Sequence, residues 1–234
     1  MTNNNYKIEE STGILKQIKI VNPIQYNPEY VNERYNSYGE LGKRMSFLRL
    51  GFIIGAIGDN IKSLCDVGYG NGDFLYTCQE YGISKLTGVD VSGYKLTDDI
   101  EQLKEIPTDK QFDVVCFFDS LEHFHSLDFL ANIKTKHFYI SFPECHYCND
   151  NDRDKFIDWK HRREDEHIYH FSKKTIMELF NKLGYKLIAF SCLEDTIRKS
   201  TYKDNELWNI SSVIFASTET EKTTTSINTD FEKL

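Results

Sequence analysis

The segment from Ser63 to Gly82 constrains the fold more than any other part of the chain, because it has the pattern of a strand, a glycine loop and a helix in direct succession. The apolar run SLCDV, ending at Val67, predicts a buried strand. The letters GYGNG follow it, and residues with helical spacing then continue to Gly82. A strand that passes through a glycine loop into a helix is typical of a parallel sheet covered by helices.

The same alternation continues on both sides of this segment. The nearly all-apolar run FDVVCFFD at residues 112–119 predicts a central strand that is covered on both faces. Ser172 can cap a helix that ends near Gly184. The pattern therefore predicts a mostly parallel sheet with helices on both faces, whose last two strands could pair as a hairpin. The remaining helices are predicted at 40–57 and 126–133, and the remaining strands at 86–90, 137–142, 186–190 and 207–216.

Composition divides the chain into three parts. Residues 1–39 are polar and rich in tyrosine, which predicts an irregular or partly helical N-terminal arm. Residues 40–217 form the predicted domain, within which residues 144–171 are an insertion after the fifth strand. Residues 218–234 are rich in Thr, Ser, Lys and Glu, which predicts a disordered tail.

Charge and composition exclude several classes of protein. The formal net charge is -8, which disfavours general binding to nucleic acid. No apolar stretch reaches the roughly 20 residues that a membrane-spanning helix needs. The six cysteines are scattered and lie partly inside apolar runs, as in a reducing compartment. We therefore expect a soluble, cytoplasmic protein with no membrane partner.

The residues around the glycine loop narrow the choice of ligand. A triphosphate-binding loop needs Gly-Lys-Ser/Thr after its glycines, which is missing here. The dinucleotide motif G-x-G-x-x-G needs a third glycine where Asp73 stands, and an acid at the start of that helix would repel a pyrophosphate. Asp66 adds a second negative charge. Two carboxylates favour a ligand that carries a cation and hydroxyl groups.

Three stretches together resemble a known family. DVGYGNGDF is similar to the first motif, [DE]-x-G-x-G-x-G, of class I S-adenosylmethionine-dependent methyltransferases, GVDVS to the second, and FDVVCFFDSLEHF to the fourth-strand motif of the small-molecule branch. The resemblance covers roughly residues 45 to 217. It implies a Rossmann-like α/β fold with a seven-stranded, mostly parallel sheet and a C-terminal antiparallel hairpin, with S-adenosylmethionine as the cofactor.

The resemblance also implies a role for each residue that matches these motifs. Gly68, Gly70 and Gly72 would let the backbone approach the cofactor, and Asp66 would lie near its amino group. Asp90 would bind the ribose hydroxyls. The other implied contacts are Val91 and Ile100 beside the adenine ring, Asp99 at the adenine amino group, and Asp119 and Ser120 at the methionine end.

Some alternatives stay open. The glycine loop could be only a tight turn, and Asp119 could be a helix cap. The segment between Asp90 and Phe112 is short for the family, so we expect its helix to be lost or reduced. This shortening bears more on the adenine role of Asp99 than on the ribose role of Asp90. Tyr30, Tyr35 and Arg44 of the arm and its neighbourhood could close over the cofactor or simply pack.

Methyl transfer to a hydroxyl needs a base, for which histidine is suited near neutral pH. The candidates are His123, just after the fourth strand, and His167 and His170, at the end of the insertion. His123 could instead brace the following helix, and His170 could be a packed side chain. Cys145-x-x-Cys148 and His167-x-x-His170 have the spacing of a zinc site, but the gap between the pairs is long and charged, and we assign no metal ligand.

The function predicted from the sequence is therefore S-adenosylmethionine-dependent methylation of an oxygen or nitrogen of a small molecule, such as a sugar or another metabolite. The letters DSLEH stand where amino-methylating nucleic-acid enzymes have N-P-P-[YF] or D-P-P-[YF], which disfavours a DNA base as acceptor. Two other classes remain: an inactive protein that keeps the fold for a binding or structural role in a larger assembly, and a nicotinamide oxidoreductase, against which Asp73 counts.

Overall fold

A computed structural model describes residues 5–147, 153–198 and 209–219 of the 234-residue chain. Ten strands and six α-helices are present in these residues. The strands are β1 Tyr6–Ile8, β2 Leu15–Gln17, β3 Ser63–Val67, β4 Lys85–Val89, β5 Glu101–Leu103, β6 Gln111–Phe118, β7 Lys134–Pro143, β8 Tyr169–His170, β9 Tyr185–Ser191 and β10 Ile210–Ser217. The helices are α1 Pro28–Asn36, α2 Glu40–Ile57, α3 Asp73–Tyr81, α4 Arg153–Ile157, α5 Lys173–Lys182 and α6 Glu194–Arg198.

Seven strands form the main sheet in the order β5-β4-β3-β6-β7-β10-β9. The pairs from β5 to β7 are parallel, and β10 pairs antiparallel with both β7 and β9. The predicted mostly parallel, Rossmann-like sheet with a C-terminal antiparallel hairpin is confirmed. The order reverses between β3 and β6, so the loops that follow these two strands lie at a topological switch point, where ligands of such sheets bind.

Apolar side chains cover both faces of the sheet. On one face, residues of α2 and α3 such as Ile53 and Leu75 pack on alternate residues of β6, among them Cys116. On the other face, Phe180 of α5 and Phe117 of the same strand both belong to a second apolar cluster, in which the ring of Phe138 contacts both. Because β6 buries both of its faces, its sequence is nearly all apolar, as its pattern predicted. None of the described helices combines the length and apolar content that crossing a membrane requires.

Two local predictions have different outcomes. The reduced middle segment is confirmed, since residues 91–100 contain turns and no helix. The predicted helix at 126–133 is wrong: a short 3-10 helix, Asp128–Asn132, lies there. Leu127, Leu130 and Ile133 are all buried, and a spacing of three residues is the period of a 3-10 helix, which suits the short connection into β7.

The N-terminal arm does not stand apart from the insertion. β1, β2 and β8 form a second sheet, in which Leu15 and Lys16 of the arm pair with His170 and Tyr169 of the insertion. Backbone hydrogen bonds therefore join the arm to the insertion. The division of the chain into an arm, a domain and an insertion stays a prediction. Of the predicted tail, only residues 218–219 are described, and residues 220–234 lie outside the described part, as do Leu207 and Trp208 of the predicted last strand.

Candidate active site

The glycine loop connects β3 to α3 at the carboxyl edge of the sheet. Gly68, Gly70 and Gly72 have φ angles of 83°, 57° and 83°. A Cβ atom on Gly68 would lie 2.6 Å from Cβ of Ser120, and one on Gly70 would overlap the Tyr35 hydroxyl. Glycine is therefore needed here both for the left-handed backbone and for the close approach of neighbouring atoms. Tyr35 of α1 lies against the loop at Gly70, and its closure over a bound cofactor stays a prediction.

Two carboxylates flank this loop. Asp90, directly after β4, accepts hydrogen bonds from the Gly70 amide at 3.0 Å and from the Ser92 amide at 2.7 Å. Asp66 of β3 is only 2% exposed, and its Oδ1 has no hydrogen-bond partner among the described residues. Burial raises the pKa of Asp66 to about 7, although the charge of Arg49 opposes this. A buried acceptor oxygen of this kind fits an ammonium group of a ligand.

Asp119 and Ser120 follow β6 at the same carboxyl edge of the sheet. The Ser120 hydroxyl donates to the Val67 carbonyl at 2.6 Å, which holds it against the loop. Asp119 has a φ of 49°, an uncommon backbone conformation for a residue other than glycine. We call Asp66, Gly68, Gly70, Asp90 and Ser120 the glycine-loop edge.

Two arginines hold the Asp119 carboxylate. Arg198 of α6 donates to it directly, and Nη2 of Arg49 lies 3.6 Å away. Both arginines also bind the buried Glu194: Arg49 through two hydrogen bonds of 3.0 and 3.1 Å, and Arg198 through one of 2.6 Å. Burial alone would raise the pKa of Glu194, but the two arginines hold it at about 2. These three residues were not predicted, because their only signal in the sequence is the i, i+4 spacing of Glu194 and Arg198.

The structure corrects the placement of Asp99 and Ile100. β5 pairs in parallel with β4 so that Glu101 lies opposite Thr87, and both residues therefore precede the amino end of β5. Asp99 is exposed there, and Ile100 is 1% exposed in the core. The carboxyl end of β5, where a ligand of the sheet edge would lie, is at Leu103.

Val91, in contrast, follows Asp90 at the carboxyl edge and is 70% exposed. An apolar side chain this open to solvent, next to the glycine-loop edge, has the exposed surface on which a planar ring can pack. Its predicted place beside adenine is therefore compatible with the structure.

A second group of polar side chains follows immediately after Ser120. One potential ligand atom from each of Glu122, His123 and His167 lies within 4.8 Å of the others. The rings of His123 and His167 have centroids 4.8 Å apart. Glu122 is 1% exposed, and neither of its carboxylate oxygens has a hydrogen-bond partner among the described residues.

The electrostatics of this group follow from its burial. Burial, and then the neighbouring Asp119, raise the pKa of Glu122 well above its ordinary value. Burial lowers the pKa of His123 to about 4, and burial followed by His123 lowers the pKa of His167 well below its ordinary value. Both imidazole rings are therefore neutral at pH 7.

The arm and the insertion surround these histidines. The Tyr26 hydroxyl lies 2.8 Å from Nδ1 of His123 and 3.2 Å from Oε2 of Glu166. Nδ1 of His167 lies 2.7 Å from the His161 carbonyl oxygen, and its Nε2 lies 3.8 Å from Oε1 of Glu166. We call Tyr26, Glu122, His123, Glu166 and His167 the histidine cluster. Tyr26 and Glu166 were not predicted, because no sequence pattern links residue 26 to residues 123 and 166.

His170, the third predicted catalytic histidine, has its ring centroid 6.3 Å from that of His167. Its Nε2 is 3.0 Å from the Arg162 carbonyl oxygen, and its ring packs against Phe156 and Trp159. His170 is therefore a packed side chain, the alternative that its sequence context left open.

The zinc alternative from the sequence involves Cys145 and Cys148. Cys145 is buried with Leu15 and Phe156 and is not a member of the one group of three potential ligands found in the described residues. Cys148 lies outside the described part of the chain.

Comparisons with known proteins identify similar sequences and folds. The model of a family described as "Methyltransferase domain" matches residues 34–189, more than half of the chain. No curated protein matches the sequence at a significant level.

Three solved structures illustrate the shared fold. An S-adenosylmethionine dependent methyltransferase from Archaeoglobus fulgidus has 16% identity and a TM-score of 0.53, covering 80% of this chain and 97% of that one. Magnesium protoporphyrin IX methyltransferase from Synechocystis, with bound SAH, has 11% identity and a TM-score of 0.52, covering 81% and 97%. 1,6-Didemethyltoxoflavin-N1-methyltransferase from Burkholderia thailandensis, with bound 1,6-didemethyltoxoflavin and S-adenosylhomocysteine, has 11% identity and a TM-score of 0.51, covering 91% and 99%. At these identities the likeness concerns the fold.

Proposed function

The chain belongs to the class I S-adenosylmethionine-dependent methyltransferases, and we propose that it methylates an oxygen or nitrogen of a small-molecule acceptor such as a sugar or another metabolite. The observation that carries the proposal is the position of the histidine cluster. Two of its residues, Glu122 and His123, follow closely after Ser120 of the glycine-loop edge. The arm and the insertion supply its other residues. A polar group of this kind beside the cofactor suits a small acceptor.

The residues of the glycine-loop edge fit the cofactor of this family. Asp66 Oδ1, which is buried and has an unmet hydrogen-bond capacity, would bind the ammonium group of the methionine part. Asp90 already orders the loop through Gly70, and its remaining lone pairs would accept from the ribose hydroxyls. Val91 offers an exposed apolar surface to the adenine ring. Asp119 and Ser120 would border the methionine end.

We do not carry Asp99 and Ile100 into this proposal. Both residues lie at the amino end of β5, whereas ligands of such a sheet bind at the carboxyl ends of its strands. The carboxyl end of β5 is at Leu103. His170 is likewise left out, because its ring is packed among aromatic side chains.

When bound, the sulfonium of S-adenosylmethionine supplies an already activated methyl group, so alignment of the acceptor is the main task of the protein. His167 is the first candidate to hold the acceptor hydroxyl, by accepting a hydrogen bond from it. Because its lowered pKa makes it a weak base, its larger contribution would be orientation of that hydroxyl. A carbonyl oxygen can only accept, so Nδ1 of His167 carries the hydrogen that it donates to the His161 carbonyl, and Nε2 keeps its lone pair. His123 stands beside it as the second candidate.

Methyl transfer from labelled S-adenosylmethionine tests this proposal. The purified protein would be incubated with panels of sugars, small metabolites and nucleic acids, and the labelled product separated by size. We expect label in a small molecule, and a rate at pH 7.5 that falls at least about tenfold in His167→Gln but not in His125→Gln, which alters an exposed histidine. Label only in nucleic acid, or no transfer by a protein that binds the cofactor, would contradict the proposal.

A further inference from the structure

We propose that Glu122, His123 and His167 bind a divalent transition-metal ion, and that its open positions take an oxygen of the acceptor. This inference rests on the proposed function for its acceptor but not for its metal. When the ion is bound, it takes the Nε2 lone pair of His167, and the ion instead of that lone pair then holds the acceptor oxygen. It assigns to the histidine cluster a chemistry that the sequence spacing did not indicate, since the sequence pointed to Cys145 and Cys148 with His167 and His170.

The first support is the geometry of the three donors. Their ligand atoms lie within 4.8 Å of one another. An ion at about 2.0–2.2 Å from each of three tetrahedrally placed donors holds them about 3.3–3.6 Å apart. The widest pair would therefore have to approach by at most about 1.5 Å, through side-chain rotation, to close the site. Two imidazoles and one carboxylate form a donor set that suits ions such as Mn²⁺, Co²⁺ and Zn²⁺, whereas Mg²⁺ and Ca²⁺ prefer oxygen donors alone.

The second support is independent of this spacing and concerns Glu122. Both of its carboxylate oxygens are buried and have no hydrogen-bond partner among the described residues. A buried carboxyl group without a partner destabilises a fold, and buried carboxylates are ordinarily paired or coordinate metals. A cation between Glu122 and the two neutral imidazoles would satisfy these oxygens.

The third support is the way in which surrounding groups orient the histidines. Nδ1 of His167 donates to the His161 carbonyl, so its Nε2 presents a lone pair. Metal-binding histidines are commonly held by a hydrogen bond from their other ring nitrogen to a carbonyl or carboxylate. The Tyr26 hydroxyl, which also contacts Glu166, holds the ring of His123.

The position of this site favours one class of acceptor. Three protein donors leave coordination positions open, and Glu122 and His123 follow directly on the glycine-loop edge. A metal ion lowers the pKa of a hydroxyl bound to it, which assists methylation of oxygen and offers little to an amine that is already neutral. The site therefore favours an acceptor with a hydroxyl group.

Titration of the metal-free full-length protein with Co²⁺ tests the inference, because the visible absorption of Co²⁺ reports its ligands without any turnover. We expect one equivalent to bind with the weak bands of nitrogen and oxygen ligands, and to be displaced by Zn²⁺. Glu122→Gln and His167→Gln should each weaken binding at least about tenfold, whereas His125→Gln should bind like the wild type. Melting curves of the metal-free variants would show whether they are folded. If one variant fails to fold, the other variant alone is enough for the test.

Three results would overturn the inference. They are no Co²⁺ binding, unchanged affinity in the folded variants, and the intense charge-transfer band of thiolate ligands, which would place the metal on cysteine. A parallel titration with S-adenosylhomocysteine separates this outcome from the proposed function. A protein that binds the nucleoside and no metal would remove the inference and leave the cofactor assignment intact.

Discussion

The glycine-loop edge and the histidine cluster lie side by side, but they are assembled in different ways. The first is built from residues at or just after the carboxyl ends of three neighbouring parallel strands, β3, β4 and β6, and its backbone is fixed by glycines with positive φ angles. The second is brought together from residue 26, residues 122–123 and residues 166–167 through contacts of the arm with the insertion. The position of the first region follows from the sheet, whereas the histidine cluster depends on tertiary contacts between segments that lie far apart in the sequence.

The largest effect should come from a side chain in the glycine loop. Gly68→Val forces an L-residue into a φ of 83°, at about 1–2 kcal/mol, and places its Cβ 2.6 Å from Ser120 Cβ. We expect the affinity for S-adenosylhomocysteine, measured by calorimetry, to fall at least about a hundredfold. Gly51→Ala in α2 is the control, since nothing lies within 4 Å of its new Cβ atom. A folded Gly68→Val protein with normal affinity would mean that this loop does not shape the cofactor site.

The next effect concerns Asp66 and pH. Its pKa is raised to about 7, so the carboxyl is mainly protonated at pH 6 and mainly ionised at pH 8. A ligand ammonium group binds the ionised form, and the affinity for S-adenosylhomocysteine should therefore rise about tenfold from pH 6 to pH 8. In Asp66→Asn the affinity should change much less over this range. If the affinity of the wild type and of Asp66→Asn depended on pH in the same way, the ionisation would belong to a group other than Asp66.

The smallest effect should separate the two regions. Tyr26→Phe removes the hydroxyl that contacts His123 and Glu166 and leaves the glycine-loop edge untouched. A net loss of about 1 kcal/mol corresponds to roughly a fivefold lower kcat/KM for the acceptor, with unchanged cofactor affinity. Tyr81→Phe, on an exposed tyrosine, is the matched control. Weaker cofactor binding in Tyr26→Phe would show that the two regions are coupled.

The same difference explains what the sequence predicted and what it did not. Asp90 and Ser120 were placed correctly at the edge of the sheet because each follows a strand with a clear apolar pattern. Asp99 and Ile100 were misplaced because β5 has only three residues, and nothing in its sequence shows that Glu101 pairs with Thr87. In the structure, Gln102 fixes the preceding turn by accepting from the Leu96 amide at 2.8 Å, a contact with no sequence signature.

Charged groups that come together over long separations were also missed. Arg49 was seen only as part of a helical pattern, and its partner Glu194 stands 145 residues later. Tyr26 was one of many tyrosines in the arm. Pairing of β2 with β8 joins the arm to the insertion, and this pairing depends on tertiary contacts that short-range patterns do not contain.

Titration of S-adenosylhomocysteine into the wild type, Asp90→Ala and Asp98→Ala tests the central claim most directly. Asp90 orders the glycine loop through the Gly70 amide and faces the proposed ribose position, whereas Asp98 is exposed in the turn that follows. We predict one binding site in the wild type, an affinity at least about tenfold lower in Asp90→Ala, and no change in Asp98→Ala. Wild-type affinity in a folded Asp90→Ala protein, or no binding by the wild type, would contradict the assignment of this edge to the cofactor.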